Sequence, residues 1–128
     1  MRLLLDTHAF IWWSSEPEKL SKITLAAFED SENELILSIA SIWEMQIKVQ
    51  LGKLDITDPL RDLIAIHQQV KDLQILPIFL NHVLALENLP VHHRDPFDRI
   101  LIAQANIEKL VIVTKDQIFN EYPVQLFW

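Results

Sequence analysis

RLLLD, residues 2–6, contains a short apolar run that ends at an aspartate. An apolar run without alternating polar residues is typical of a strand that is buried on both faces, as in a parallel sheet. Further runs of this kind occur along the chain at ELILS (34–38), QILPI (74–78), LVIV (110–113) and VQLF (124–127). We therefore predict five strands that belong to a parallel sheet.

The segments between these runs carry helix signals, because apolar residues recur in them at helical spacing. Ser38 and Gly52 are suitable residues to begin and end one helix, and Pro59 suits the first turn of another. Strands that alternate with helices predict an α/β fold in which helices cover both faces of the sheet. Helices are expected at residues 7 to about 17, 19–32, 39–52, 57–73, 81–89, 96–109 and near 117.

Composition limits the class of protein. The 128 residues are half hydrophobic and include one glycine, which predicts a single globular domain over residues 1–128. Cysteine is absent, so a disulfide scaffold, a thiol nucleophile and a cysteine-bound zinc site are excluded. No apolar run has the length of a signal peptide core or a membrane span, and we expect a cytoplasmic protein without a membrane anchor.

The formal net charge of −7 argues against a broad, sequence-independent nucleic-acid binder, which is normally basic. It does not argue against an enzyme that approaches nucleic acid through metal ions, because clustered carboxylates would themselves supply the negative charge. The high apolar content, with four tryptophans, favours a protein partner.

Two acidic residues follow predicted strands. Asp6 comes directly after the first strand, and Asp116 lies in the turn VTKD after LVIV. Ligands of open parallel sheets bind beyond the carboxyl ends of the strands, so both side chains are expected at the ligand-binding edge. Each aspartate could instead be the N-cap of the helix that follows it.

A third acid, Glu44, lies in the second turn of the helix after ELILS, and most of its neighbours on that helix are apolar. Burial of a carboxylate costs free energy unless a cation or hydrogen-bond donor meets it, so Glu44 is a candidate for the same edge. The alternative is an exposed pair with Lys48, four residues later on the helix.

The stretch VHHRDPFDRI, residues 91–100, holds two further aspartates. Asp95 suits an N-cap, with Pro96 as the first helical residue, and an acid at Asp98 would favour the helix dipole. Asp98 also continues an apolar stripe, which predicts that its side chain leans inward while Asp95 stays at the rim. The members of that stripe are Leu101, Ile102 and Ala105.

Four carboxylates at one edge would repel one another, and a divalent cation would relieve that repulsion. Oxygen ligands without cysteine or histidine suit magnesium or manganese better than zinc. Such a cation can activate water for attack on a phosphate. The sequence therefore predicts a metal-dependent enzyme of phosphoryl transfer.

The segments LLLDTHAFIWW, SIWEMQIK, HRDPFDRILIAQA and VTKD together resemble the PIN domains, and more narrowly the VapC-type toxins of bacterial toxin–antitoxin pairs. The resemblance extends over nearly the whole chain in the same order. It implies a three-layer α/β/α sandwich around a central parallel sheet and a magnesium- or manganese-dependent endoribonuclease. The implied partners are RNA, a cognate antitoxin and, in a homodimer, a second copy.

The resemblance also implies roles for individual residues. The family's four acids fall on Asp6, Glu44, Asp98 and Asp116, with Asp6 and Asp98 as the principal metal ligands. Glu44 and Asp116 would complete the inner or outer shell of the metal, and one of them would orient or deprotonate the water. Thr7 and Thr114 correspond to hydroxyl residues beside the first and fourth acids, and Asp95 is carried over only as a cap or an indirect support. Candidates for contact with substrate phosphates, which could equally be ordinary surface charges, are Arg94, Arg99 and Lys115.

Several neighbouring residues receive structural interpretations. His92 and His93 are adjacent, and adjacent residues rarely point at one metal, so we expect them to lie at the rim or to have hydrogen-bonding roles. Trp12 and Trp13 are expected in the core and at a protein interface rather than against RNA bases.

Other functions remain as alternatives. A receiver-type phosphoacceptor would have paired acids after the first strand, and a haloacid-dehalogenase-type phosphatase would have an aspartate where His8 lies, so both fit poorly. A non-catalytic PIN-like module that binds RNA or a protein is the alternative from a different class, and the presence of all four acids disfavours it.

Overall fold

A computed structural model describes residues 1–128. Five strands are present: β1 (Arg2–Leu5), β2 (Glu34–Ser38), β3 (Gln74–Leu76), β4 (Val111–Val113) and β5 (Gln125–Phe127). The helices are α1 (Thr7–Ser15), α2 (Lys22–Glu29), α3 (Ile39–Gln50), α4 (Leu60–Lys71), α5 (Leu80–Leu84) and α6 (Pro96–Glu108). Short 3₁₀ turns cover Pro17–Lys19, Ala85–Asn88 and Gln117–Glu121.

These elements confirm the predicted order of strands and helices, with shifts at the helix ends. Helix α2 begins later than expected because the Ser21 hydroxyl accepts the Thr24 N–H and so caps the helix. Helix α4 begins at Leu60, because Pro59 is its N-cap residue rather than a member of its first turn. None of the helices is both long and apolar enough to span a membrane.

All five strands are parallel, in the order β3-β2-β1-β4-β5. The chain moves outward from β1 through β2 to β3 and then returns to the other side of β1 for β4 and β5. The strand order therefore reverses between β1 and β4. In open α/β sheets, this reversal opens a crevice at the carboxyl ends of the strands, where ligands bind.

Alternate side chains of each strand pack into separate cores on the two faces of the sheet. Leu3 and Leu5 of β1 belong to a core formed with α1–α4, while Leu4 belongs to one formed mainly with α6. All three leucines are fully buried. This arrangement confirms a three-layer α/β/α sandwich, and it explains why β1 has no polar alternation.

Candidate functional site

A cavity of about 170 Å³ lies at the carboxyl edge of the sheet, where the strand order reverses. The four predicted acids line it, although they come from four separate parts of the chain. Two larger hollows, of about 490 and 370 Å³, lie at the opposite edge of the sheet. The first has no acid in its lining, and the four acids of the second are all exposed: Glu29, Asp30, Glu34 and Asp72. The lining residues are Asp6, Thr7, His8, Glu44, Lys48, His93, Asp95, Asp98, Asp116 and Phe119.

Three of the aspartates in this cavity also begin helical segments. The Oδ1 atom of Asp6 accepts the Ala9 N–H at 2.8 Å, and Oδ1 of Asp116 accepts the Ile118 N–H at 3.1 Å. Oδ1 of Asp95 likewise caps α6. The capping interpretation is therefore correct for all three. It does not compete with a functional one, because each cap uses a single carboxylate oxygen.

Asp6 is the most deeply buried of these aspartates, at 6% exposure. Burial raises the pKa of its carboxyl, and the negative charge of Asp116 raises it further. A hydrogen bond from the Thr114 side chain and the cap bond from Ala9 oppose this rise in pKa. Thr114 also orders the turn after β4, because its hydroxyl accepts the Asp116 N–H at 3.0 Å. Thr114 therefore supports the site without lining the cavity.

Glu44 is buried, and both of its carboxylate oxygens have partners. The Thr7 hydroxyl donates to Oε1 at 2.7 Å, and Lys48 Nζ lies 2.8 Å from Oε2. The Glu44–Lys48 pair considered in the sequence is thus present but not exposed, since only Lys48 reaches solvent, with a third of its side chain. Lys48 lines the cavity as the cation that compensates this acid. The i, i+4 spacing was the signal for it.

Asp98 is partly buried and pairs with His93, whose Nε2 lies 2.7 Å from Oδ2. Burial, followed by the charges of Asp95 and Glu44, raises the pKa of Asp98 to about 6 against the opposing effect of His93. Ligand atoms of His93, Asp95 and Asp98 all lie within 4.8 Å of one another. His93 therefore has one of its two expected roles, a hydrogen bond, and it also lines the cavity.

The three basic candidates lie in different surroundings. Arg99 is committed to the fold: its guanidinium donates to Pro90 O at 2.8 Å and makes longer contacts with Tyr122 Oη and other backbone carbonyls. It does not line the cavity, and we exclude it from the site. Arg94 is exposed and has no ion pair. Lys115 is exposed and lines an adjoining cavity.

The adjoining cavity measures about 220 Å³ and shares Asp6, His8 and Asp116 with the acidic one. Trp12 and Lys115 complete its lining. Trp13, in contrast, is 8% exposed and packs in the core, as expected from the sequence. The two adjacent tryptophans thus have different surroundings.

The acidic cavity fits a divalent cation. Its donors are mainly carboxylate oxygens, which Mg²⁺ and Mn²⁺ prefer, and the second oxygens of Asp6, Asp95 and Asp116 are not used in capping. Lys48 is the only lysine or arginine in the lining. Raised pKa values at Asp6 and Asp98 indicate that the surrounding protein compensates these charges incompletely.

Comparisons with known proteins agree with this geometry. Residues 3–125 match the family model described as PIN domain. Ribonuclease VapC22 of Mycobacterium tuberculosis is 30% identical over 117 residues, which cover 90% of this chain and 87% of that protein.

Solved structures with the same fold include VapBC2 from Rickettsia felis bound to a DNA fragment from its promoter, with a TM-score of 0.75 and 16% identity. That match covers 99% of this chain and 98% of the other. FitAcB from Neisseria gonorrhoeae has a TM-score of 0.63 and 19% identity, with 98% and 96% of the two chains covered.

Proposed function

Because the chain belongs to the PIN domain family, we propose that it is a divalent-metal-dependent endoribonuclease and the toxin of a toxin–antitoxin pair. One observation carries the proposal: Asp6, Glu44, Asp98 and Asp116 line a single cavity where the strand order reverses. Folding does not account for these acids: asparagine would cap a helix as well as Asp6 or Asp116 does, and neither Glu44 nor Asp98 is an N-cap. The similarity to a ribonuclease supports RNA as the substrate.

We propose Asp6 and Asp98 as the principal metal ligands and Mg²⁺ or Mn²⁺ as the cation. Burial raises the pKa values of both carboxyl groups, so a bound cation would lower the free-energy cost of ionising them. Such a cation would activate water and stabilise the charge that develops on the phosphate. Asp95 and His93 lie close enough to Asp98 to hold its carboxylate in place or to share the cation.

Glu44 has a different role in this proposal. Thr7 and Lys48 hold its two oxygens, so Glu44 orients the attacking water from beside the cation rather than binding the cation directly. Asp116 is more exposed and lies beside Asp6, where Thr114 supports its backbone. It completes the site from the solvent side. Arg94 and Lys115 are available for the RNA phosphates, because neither has an ion pair with a neighbouring acid.

We further propose that residues 1–128 act as one domain in the cytoplasm and bind a cognate antitoxin, within a homodimer or a hetero-oligomer. The resemblance to VapC-type toxins supports this, as does the match to VapBC structures. Exposed apolar side chains in and beside α5 are consistent with a protein partner. They are Phe79, Leu80, Val83 and Leu84.

The test is cleavage of single-stranded RNA by the purified protein with Mg²⁺ or Mn²⁺ and with EDTA. We expect cleavage only with metal, and loss of at least a hundredfold in Asp6→Asn and Asp98→Asn. Asp62→Asn is the matched control, because Asp62 is an exposed acid on α4, away from the cavity.

If wild type and both variants leave RNA equally intact with metal present, the chain is a non-catalytic module that binds RNA or protein. The toxin role is tested separately by growth arrest on expression and its relief by a small neighbouring gene product. An active nuclease whose growth arrest no neighbouring product relieves would contradict the antitoxin proposal.

A further inference from the structure

The 220 Å³ cavity beside the acids is lined by two residues that have no role in the mechanism described above, His8 and Trp12. It opens next to the metal site, since Asp6, His8 and Asp116 line both cavities. Its remaining walls are the indole of Trp12 and the side chain of Lys115.

Trp12 is held as a rigid wall of this cavity. Its side chain is half-buried against the core, and the Trp128 ring packs edge-on against it at 5.9 Å between centroids. The His8 ring lies 5.7 Å away at 46°. A ring fixed by such neighbours loses little conformational entropy when a second flat group packs against it.

The charges of the cavity favour a neutral planar group over a phosphate. Asp6 and Asp116 would repel an anion placed deep inside. Lys115 Nζ lies at the cavity wall, 6.0 Å from the Trp12 ring centre, and can meet a phosphate at the mouth. Proteins that bind single-stranded nucleic acids use an aromatic side chain with a cation beside it: a base stacks on the ring, and the cation pairs with a backbone phosphate.

We propose that this cavity is a subsite for one unpaired nucleobase of RNA, adjacent to the scissile phosphate, with Trp12 as the stacking surface and Lys115 on the flanking phosphate. This inference rests on the proposed ribonuclease function and names the part of the substrate that the site recognises. A base can enter only if it is unstacked, so the substrate is single-stranded at this position. This differs from the sequence-based expectation that Trp12 serves a protein interface.

The test measures binding rather than cleavage. Affinity for a short fluorescent single-stranded RNA is measured by anisotropy in the Asp98→Asn background, so that RNA stays intact. Trp12→Leu should weaken binding about tenfold, as expected for the loss of one base–aromatic stack, and Trp12→Phe should restore most of it. A duplex of the same sequence should bind at least tenfold more weakly than the single strand.

Lys115→Met and Lys19→Met form a matched pair. Both ammonium groups lie about 6 Å from the Trp12 ring, but Lys19 pairs with Glu16 and does not line the cavity. Lys115→Met should weaken RNA binding about threefold to tenfold and reduce its salt dependence, whereas Lys19→Met should bind as the parent protein does. This pair keeps the test valid even if substitutions at Trp12 unfold the chain.

The outcomes separate the two proposals. If wild type cleaves RNA with metal but binding is insensitive to both Trp12→Leu and Lys115→Met, the subsite is wrong and the nuclease stands. Equal affinity for duplex and single strand would also overturn the subsite. If Trp12 variants lose a protein partner while RNA binding is unchanged, the cavity belongs to the protein interface instead. If the protein neither binds nor cleaves RNA, both proposals fail.

Discussion

Replacement of Asp98 by asparagine should stabilise the metal-free protein at neutral pH, even though it removes a proposed metal ligand. Asp98 has a pKa of about 6 in the folded chain, against 3.8 for an unperturbed aspartate. The folded state therefore holds the proton more tightly than the unfolded state. Ionised Asp98 thus costs stability, and this cost grows as pH rises from about 4 to about 6 and is complete above that range.

The size of the effect follows from the same shift in pKa. A rise in pKa from 3.8 to about 6 corresponds to a free-energy cost of about 3 kcal/mol for the ionised group, at roughly 1.4 kcal/mol per pKa unit. Loss of the 2.7 Å hydrogen bond with His93 offsets about 1 kcal/mol of this. In EDTA at pH 7.5, Asp98→Asn should therefore raise the free energy of unfolding by about 1–2 kcal/mol. At pH 4.5 the gain should vanish.

The assay is urea unfolding in EDTA at the two pH values, with Asp62→Asn as an exposed control that should change little at either. Saturating Mn²⁺ should reverse the order, because wild type gains the binding free energy of the cation and the variant gains less. A variant less stable than wild type in EDTA at pH 7.5 would refute the reasoning. So would a gain of equal size at pH 4.5.

Three further predictions concern the same region. Affinity for Mn²⁺, measured by calorimetry, should fall by up to tenfold per pH unit below about pH 6, because the cation must displace the Asp98 proton. Constant affinity between pH 5 and 7 would contradict this prediction. Lys48→Met should lower the free energy of unfolding in EDTA by about 1–2 kcal/mol and tighten Mn²⁺ binding severalfold, because Glu44 loses its ion pair with the lysine. The control is Lys53→Met at an exposed position, which should match wild type in both measurements. Arg99→Met should lower the free energy of unfolding by about 2–3 kcal/mol, because backbone carbonyls lose their hydrogen-bond donor. A variant with full stability but weaker RNA binding would show that Arg99 contacts the substrate instead.

The positions of the acids along the fold were predictable because they follow from chain-level geometry. Parallel strands present their carboxyl ends at one edge, so Asp6 and Asp116 had to lie near each other once the strands were identified. The helix stripe likewise directed Asp98 inward, and its apolar members are buried. Hydrophobic pattern and strand direction were sufficient for these placements.

The partners of these acids were less predictable, because they depend on side-chain reach and on an irregular loop. Residues 89–95 follow no helical or strand period, so neither the His93–Asp98 hydrogen bond nor the contacts of Arg99 could be read from spacing. Tyr122 orders this loop by accepting the N–H groups of His92 and His93, from 30 and 29 residues away along the chain. Trp12 and Trp13 are neighbours in sequence, but Trp13 packs against Phe28 and His67. Trp12 instead contacts His8 and Trp128.

Asp6, Asp95 and Asp116 are helix caps as well as proposed site residues, and this has a consequence for how the proposed activity can be lost. Asparagine caps a helix about as well as aspartate, whereas alanine does not. A change to asparagine at one of these positions can therefore silence the chemistry and leave a folded chain that still presents its surfaces to partners. A change to alanine weakens the fold as well. Inactive descendants that persist as binding proteins are therefore expected to carry amides or hydroxyls at these three positions.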